Sequence, residues 1–228
     1  FELILKMCSG FHYYSQRKTA SSFQELIDRD NNKEIISNKS LFMPYIRNDD
    51  HSETSIGIFT QFTSKLKIET YDTYPGITAN KIKIISSVFS EYVCLSEISE
   101  LLHSEITVLK EAISNEDDPE KKSALGREIK DKSLLLSENE KCTRRLFSSQ
   151  GKQTLYLENI ILVDDFIGSG SSVINLLTEI GNELYLLQSF INFYFICLEA
   201  SEKGIQNINE KLRELKISNF HILNYTEA

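Results

Sequence analysis

The chain has 228 residues, of which 41% are hydrophobic, and a formal net charge of −8 from 33 acidic and 25 basic side chains. That is enough apolar material for one core with an insertion, and the acidic balance argues against a broad nucleic-acid-binding face. No apolar run reaches membrane-spanning length, and residues 1–6 lack a signal-peptide layout. A start on Phe1 leads us to expect residues upstream. The cysteines, Cys8, Cys94, Cys142 and Cys197, are scattered with no C-x-x-C, so they read as reduced cytosolic thiols in apolar stretches and place the chain in the cytoplasm.

Residues 2–29 read as helix. Leu3, Ile4, Met7 and Phe11 share a face that Phe23, Leu26 and Ile27 continue beyond a polar interruption at Thr19 to Ser22. The aromatic trio Phe11, Tyr13 and Tyr14 reads as core or subunit contact before it reads as a base-stacking surface. Residues 41–46 (LFMPYI) read as a strand, with Pro44 marking an edge or a bulge. A polar stretch from Arg47 to Ser52 leads into a helix carrying Phe59, Phe62 and Leu66. Residues 67–90 give the weakest signal, with a turn at Tyr74-Pro75-Gly76 and a short strand over 81–85.

From Ser86 to Phe147 the chain becomes charged and helical. Leu95, Ile98, Leu102, Ile106, Leu109 and Ile113 recur at three-and-four spacing. Asn115 to Asp118 breaks the pattern, and Pro119 is placed to open a second helix with Leu125, Ile129, Leu136, Cys142 and Leu146. The pattern predicts a helical hairpin with arms about 40 Å long at ~1.5 Å per residue. Arms of this kind serve association with a partner protein or a second copy, or fold back on their own domain.

The densest chemistry lies at Ile160-Ile161-Leu162-Val163-Asp164-Asp165-Phe166-Ile167-Gly168-Ser169-Gly170-Ser171-Ser172. Four apolar residues run into two carboxylates and a loop of small residues, and Val173, Leu176, Leu177 and Ile180 then follow helical spacing. This predicts a buried strand, a tight loop at its carboxyl end and a departing helix, which is where open α/β sheets bind ligands. Backbone amides from Ser169 to Val173 at the helix start suit an anion such as phosphate. The order is not the dinucleotide fingerprint, since Val173 stands at the third glycine position, and it is not a Walker loop, since no lysine follows. An acidic turn before a serine-capped helix is the plainer alternative.

Residues 189–198 form a nearly continuous apolar run, as in a strand buried on both faces. Glu199 closes it at the ligand edge, as a solvated cap or as a reader of substrate. Ile205, Ile208, Leu212 and Leu215 make a helix, and residues 220–225 make a last strand. Alternating strands and helices predict a parallel sheet with right-handed crossovers. The expected layout is an N-terminal helical segment over 1–40, an α/β core over 41–85 and 150–228, and the hairpin over 86–147.

An apolar strand, two acidic residues, three variable residues and a Ser-Gly-Ser-Ser loop resemble the 5-phosphoribosyl-1-pyrophosphate (PRPP) signature of type I phosphoribosyltransferases. Serines here replace both threonines of that signature, keeping the hydroxyl. The resemblance implies a Rossmann-like core in which Asp164 and Asp165 hold the ribose hydroxyls. The Ser169-Gly170-Ser171-Ser172 loop would hold the 5′-phosphate, and Phe166, Ile167 and Gly168 would border the bound ligand. It implies Mg²⁺ brought with the pyrophosphate, with Asp164 meeting the ion only indirectly. Arg47 and Ser52, in the first strand–loop–helix unit, fall where the family carries its pyrophosphate loop. No stretch in 67–90 resembles the family's closing loop. The Asp-Asp-Phe-Ile-Gly-Ser-Gly form and Leu41-Phe42-Met43-Pro44 further resemble the divergent branch of bacterial conflict and anti-phage systems. Some of that branch are effectors partnered with retron reverse transcriptases, which implies a nucleoprotein partner.

Three function classes follow. The first is an enzyme transferring a phosphoribosyl group, with Asp164, Asp165 and Arg47 at the reacting centre. The second is a catalytically silent PRPP- or nucleotide-binding regulatory module. The third is a structural protein whose Asp/Gly/Ser turn is idle.

Overall fold

The computed structural model describes residues 16–29, 39–47, 53–66, 77–148 and 154–225. In chain order the elements are α1 Gln16–Asp28, β1 Ser40–Pro44, α2 Glu53–Leu66, α3 Thr78–Asn115, α4 Pro119–Ser148 and β2 Asn159–Val163. They continue with β3 Phe166–Ile167, α5 Ser171–Glu179, α6 Gly181–Leu187, β4 Asn192–Cys197, β5 Glu199–Ala200, α7 Glu202–Glu214 and β6 Phe220–Asn224. The chain divides into two compact units, one of Phe1–Lys83 with Leu157–Ala228 and the other of Ile84–Tyr156.

The first unit is built on a four-stranded parallel sheet in the order β1-β2-β4-β6. Each strand sits beside the next main strand in sequence, so right-handed crossovers carry α5, α6 and α7 over one face. The other face is covered by α1 and α2. Strand alternation sends Phe42, Ile161, Val163 and Ile196 to that side, where they join Phe23 and Phe62 in one core cluster. The Phe23 and Phe62 rings meet edge to face at 5.0 Å between centroids, and Phe42 lies 5.7 Å from Phe62. On the opposite side Tyr45 and Phe195 meet at 5.2 Å. All five residues of β2 are buried, as a run apolar on both faces requires. Pro44 ends β1, which is an edge strand, and so interrupts no ladder between two neighbours.

Two expectations are corrected here. Residues 81–85 are not a strand but part of α3. On a strand Ile82 and Ile84 would share a face, whereas Ile82 is fully buried and Ile84 is 65% exposed. Five residues of alternating Lys and Ile mimic a period of two, and only the longer run including Thr78 and Ala79 shows the helical period. Thr78 secures the start of that helix: its hydroxyl accepts from the Ile46 amide at 2.8 Å and donates to the Pro44 carbonyl at 3.2 Å. The second correction concerns Thr19 and Ser22, which do not interrupt α1 but sit buried within it. Among the described thiols, all free, Cys94 and Cys142 are exposed and Cys197 is buried.

The second unit is an antiparallel helical hairpin. At ~1.5 Å per residue the 38-residue α3 spans about 57 Å and the 30-residue α4 about 45 Å. Asn139 on α4 donates to the Leu95 carbonyl at 2.7 Å and to the Ser99 hydroxyl at 2.8 Å, while Lys132 pairs with Glu105 at 2.8 Å. Leu102 and Ile106 are buried in the seam. No helix among the described residues is long and apolar enough to cross a membrane. The first half of the predicted N-terminal helix, the trio Phe11, Tyr13 and Tyr14, and the Tyr74-Pro75-Gly76 turn lie outside the described residues.

Candidate functional site

The carboxyl ends of β2 and β4 hold the two aspartates by continuing the ladder past the strands. The Asp164 amide donates to the Ile196 carbonyl at 3.0 Å, and the Asp165 carbonyl accepts from Leu198 at 3.0 Å and Glu199 at 3.2 Å. A second, two-stranded parallel sheet then forms from β3 and β5, pairing Phe166 with Glu199 and Ile167 with Ala200. This short sheet was not legible in the sequence. It leaves Phe166 56% exposed and buries Ile167, so the Ile167 side chain serves the core and only its backbone borders the loop.

From Gly168 to Ser171 the loop is tied to α7. Ser201, the N-cap of α7, accepts from the Gly204 amide at 2.9 Å and donates to the Gly168 carbonyl. Asn207 donates to the Ser169 carbonyl at 2.9 Å. Gly170 caps α5 in the left-handed region at φ 80°, and an added Cβ would lie 2.7 Å from the Gly204 carbonyl oxygen. The Ser169 hydroxyl lies 3.0 Å from that of Ser171. The first-turn amides of α5 have no intrahelical acceptor by geometry and stand at the positive end of the helix dipole.

Arg47, two residues after a buried Tyr45, reaches this helix from the exit of β1. Its Nη1 donates to the Ser172 hydroxyl at 2.9 Å, while the Tyr45 hydroxyl donates to the Ser172 carbonyl at 2.7 Å. Tyr45 was not singled out in the sequence. Nor were Ser201 and Asn207, because a capping serine and a helical asparagine look ordinary without their loop partners. A cleft of about 240 Å³ opens beside these groups, lined by Tyr45, Arg47, Ile77, Ser172, Asn175 and Glu179. Neither aspartate lines it. Ser52 lies outside the described residues.

Asp164 is the electrostatically unusual group. Burial, then the neighbouring Asp165 charge, push its carboxyl up from 3.8 to about 7, against the opposing pull of the Arg47 guanidinium. Its own burial, and then the same two acids, raise the Cys197 thiol, which is therefore not a nucleophile near neutral pH. Because folding raises the Asp164 value, ionisation costs more in the folded than in the unfolded chain. Its contribution to stability therefore falls as pH rises from about 4 to about 7 and is level beyond that window. A ligand whose hydroxyls donate to this carboxylate favours the ionised form, so its affinity should rise between pH 6 and pH 8. Titration calorimetry across that range, with a ligand whose own ionisation is subtracted, checks this. The Asp164→Asn variant should lose the slope.

Among the described residues no group of three or more His, Cys, Asp or Glu side chains is disposed to hold a metal ion. Two adjacent carboxylates fit a hard cation held mainly by ligand oxygens, as Mg²⁺ usually is, better than an all-protein cage. No curated protein and no solved structure matches the chain. The PRTase-CE family model matches residues 1–228. The chain therefore belongs to the PRTase-CE family, a phosphoribosyltransferase-like family.

Proposed function

We propose that this chain binds PRPP with Mg²⁺ and transfers its phosphoribosyl group to an acceptor. One observation carries the reading: Arg47 bonds Ser172 in the first turn of the helix that the glycine-serine loop opens, and it lies close enough to Asp164 for its charge to oppose the rise of that carboxyl. The carboxylates accept hydrogen bonds from the ribose 2′- and 3′-hydroxyls. The amides and hydroxyls from Ser169 to Ser172 hold the 5′-phosphate, and Arg47 faces the pyrophosphate as a fixed fork of donors. In the reaction the bond from the anomeric carbon to pyrophosphate breaks, and its electron pair leaves on the pyrophosphate. A lone pair of the acceptor forms the new bond at that carbon, and the acceptor gives up a proton. The protein's part is to hold the ribose still and to stabilise the separating charge, and no covalent nucleophile is needed. When bound with the pyrophosphate, Mg²⁺ would offset part of its charge, with Asp164 meeting the ion only indirectly.

Support for a narrower role comes from the resemblance of Leu41-Phe42-Met43-Pro44 and the Asp164 to Gly170 segment to effectors of bacterial defence. On that reading the acceptor is a nucleotide or a macromolecule, and a retron-type nucleoprotein is the candidate partner. Incubation with PRPP, Mg²⁺ and a panel of bases, nucleotides, RNA and protein acceptors, followed by pyrophosphate detection, tests the transfer. Acceptor-dependent pyrophosphate release is the expected result. Tight PRPP binding with no release across the panel would contradict transfer and leave a binding module.

A further inference from the structure

The hairpin is chemically two-sided. Around α3 the seam residues Tyr92, Leu95, Ser99, Leu102, Ile106 and Leu109 follow a three-and-four pattern toward α4. Rotated by about a quarter turn from that seam, α3 carries Cys94, Ile98, Leu101 and Ala112 along one line, with Val108 beside it. On α4 the same rotation from its own seam (Leu125, Ile129, Leu136, Asn139, Thr143) presents Leu135 and Cys142. Reversing a helix turns equal rotations to the same side, so both lines lie on one face of the antiparallel pair. The level is shared as well, because Asn139 bonds opposite Leu95 and Ser99.

The apolar members of this face are open: Ile98 is 41% exposed, Leu101 60%, Val108 62% and Leu135 54%. Four carboxylates stand among them, Glu105, Glu128, Asp131 and Glu138. Lys132 reaches this side to Glu105 at 2.8 Å and Glu128 at 3.8 Å and offsets one charge. The opposite face is polar throughout, with Ser96, Glu100, His103 and Thr107 on α3 and Lys122, Ser133 and Glu140 on α4.

We propose that the Ile98–Leu101–Leu135 face is a docking groove for a positively charged amphipathic helix of a partner protein, which completes a three-helix bundle. The distance from Cys94 to Ala112 is about 27 Å at ~1.5 Å per residue, which accommodates a helix of about five turns. Apolar anchors at three-and-four spacing meet Ile98, Leu101 and Leu135, and flanking Lys or Arg side chains meet the carboxylates. A second copy fits less well, because face-to-face pairing brings two acidic rims together, and like charges at an interface oppose association. This surface is independent of the phosphoribosyl reading.

The test uses the full chain and a fluorescent 19-residue helical peptide with leucine at three-and-four spacing and lysine elsewhere, at physiological salt. An otherwise identical peptide with glutamate in place of lysine is the control. The lysine peptide should bind with at least tenfold higher affinity than the glutamate peptide. Leu101→Ser/Leu135→Ser, both at exposed positions, should weaken it at least tenfold, while Thr107→Ala on the other face changes nothing. PRPP affinity should be the same in every variant. Equal peptide binding by the double-serine variant would reduce the effect to bulk charge and overturn the groove. Sedimentation of the wild type as a dimer that the same variant dissociates would overturn it in favour of a second copy.

Discussion

Replacing Asp164 and Asp165 together by asparagine should abolish the rise in melting temperature that PRPP with Mg²⁺ gives the wild type. The loss should come from the ligand and not from the fold. A ligand present at ~100 times its Kd stabilises a native state by about 2.7 kcal/mol. In a first unit of this size that amounts to a shift of several degrees. The double variant keeps the side-chain shape and its backbone ladder to Ile196, Leu198 and Glu199, but it has no charged acceptors for ribose hydroxyls. The unliganded variant should melt above the wild type at pH 8 and approach it near pH 5. Asp164 is held in an environment that disfavours its charge, and asparagine removes that charge. Differential scanning fluorimetry at both pH values, with and without ligand, reads both effects. A double variant that unfolds outright would contradict the view that the buried Asp164 charge destabilises the unliganded protein.

Gly204→Ala should be the most damaging single methyl group in the first unit. An ideal Cβ there would overlap the Gly168 carbonyl oxygen and stand 3.0 Å from both the Ile167 side chain and the Ser201 hydroxyl. The obstructing atom is backbone, so relief requires the loop or α7 to move. Overpacking of this kind costs about 1–3 kcal/mol and occasionally more. The functional loss should exceed the loss of stability, because the movement pulls apart the Ser201–Gly168 contact that sets the loop against α7. Gly126→Ala in α4, where nothing lies within 4 Å of the added carbon, should instead stabilise by about 0.5–1 kcal/mol. Chemical denaturation of both variants, with PRPP titrations of the Gly204 variant, separates the two contributions.

The contrast between these glycines shows which part of the site the sequence expresses. The Asp164 to Ser172 segment announces itself because local chemistry dictates it: a β-branched run, paired acids, small residues and an apolar helix are adjacent in the chain. The main sheet is legible for the same reason, since β2 and β4 each continue from a leading asparagine as an apolar run. What holds the loop is not local. Ser201, Gly204 and Asn207 act on residues more than thirty positions earlier, and nothing in their neighbours distinguishes them from ordinary capping or surface residues. Tyr45 is similar: its aromatic ring predicts burial, but only the fold supplies Ser172 as partner for its hydroxyl. The misreading of 81–85 has a different origin. Over five residues a Lys-Ile alternation fits both periods, and Ile84 on an exposed helix face defeats the rule that apolar residues point inward. The outward apolar line on α3 is the same phenomenon repeated, Ile98 having been counted with the seam when it stands beside it.

The central claim is that the twin acids and the loop grip opposite ends of one phosphorylated sugar. A crystal structure with PRPP and Mg²⁺ bound measures this directly. The account predicts the ribose hydroxyls on the Asp164 and Asp165 carboxylates, with the 5′-phosphate on amides between Ser169 and Val173. A sugar bound with its hydroxyls away from both aspartates, or a 5′-phosphate seated elsewhere, would contradict it.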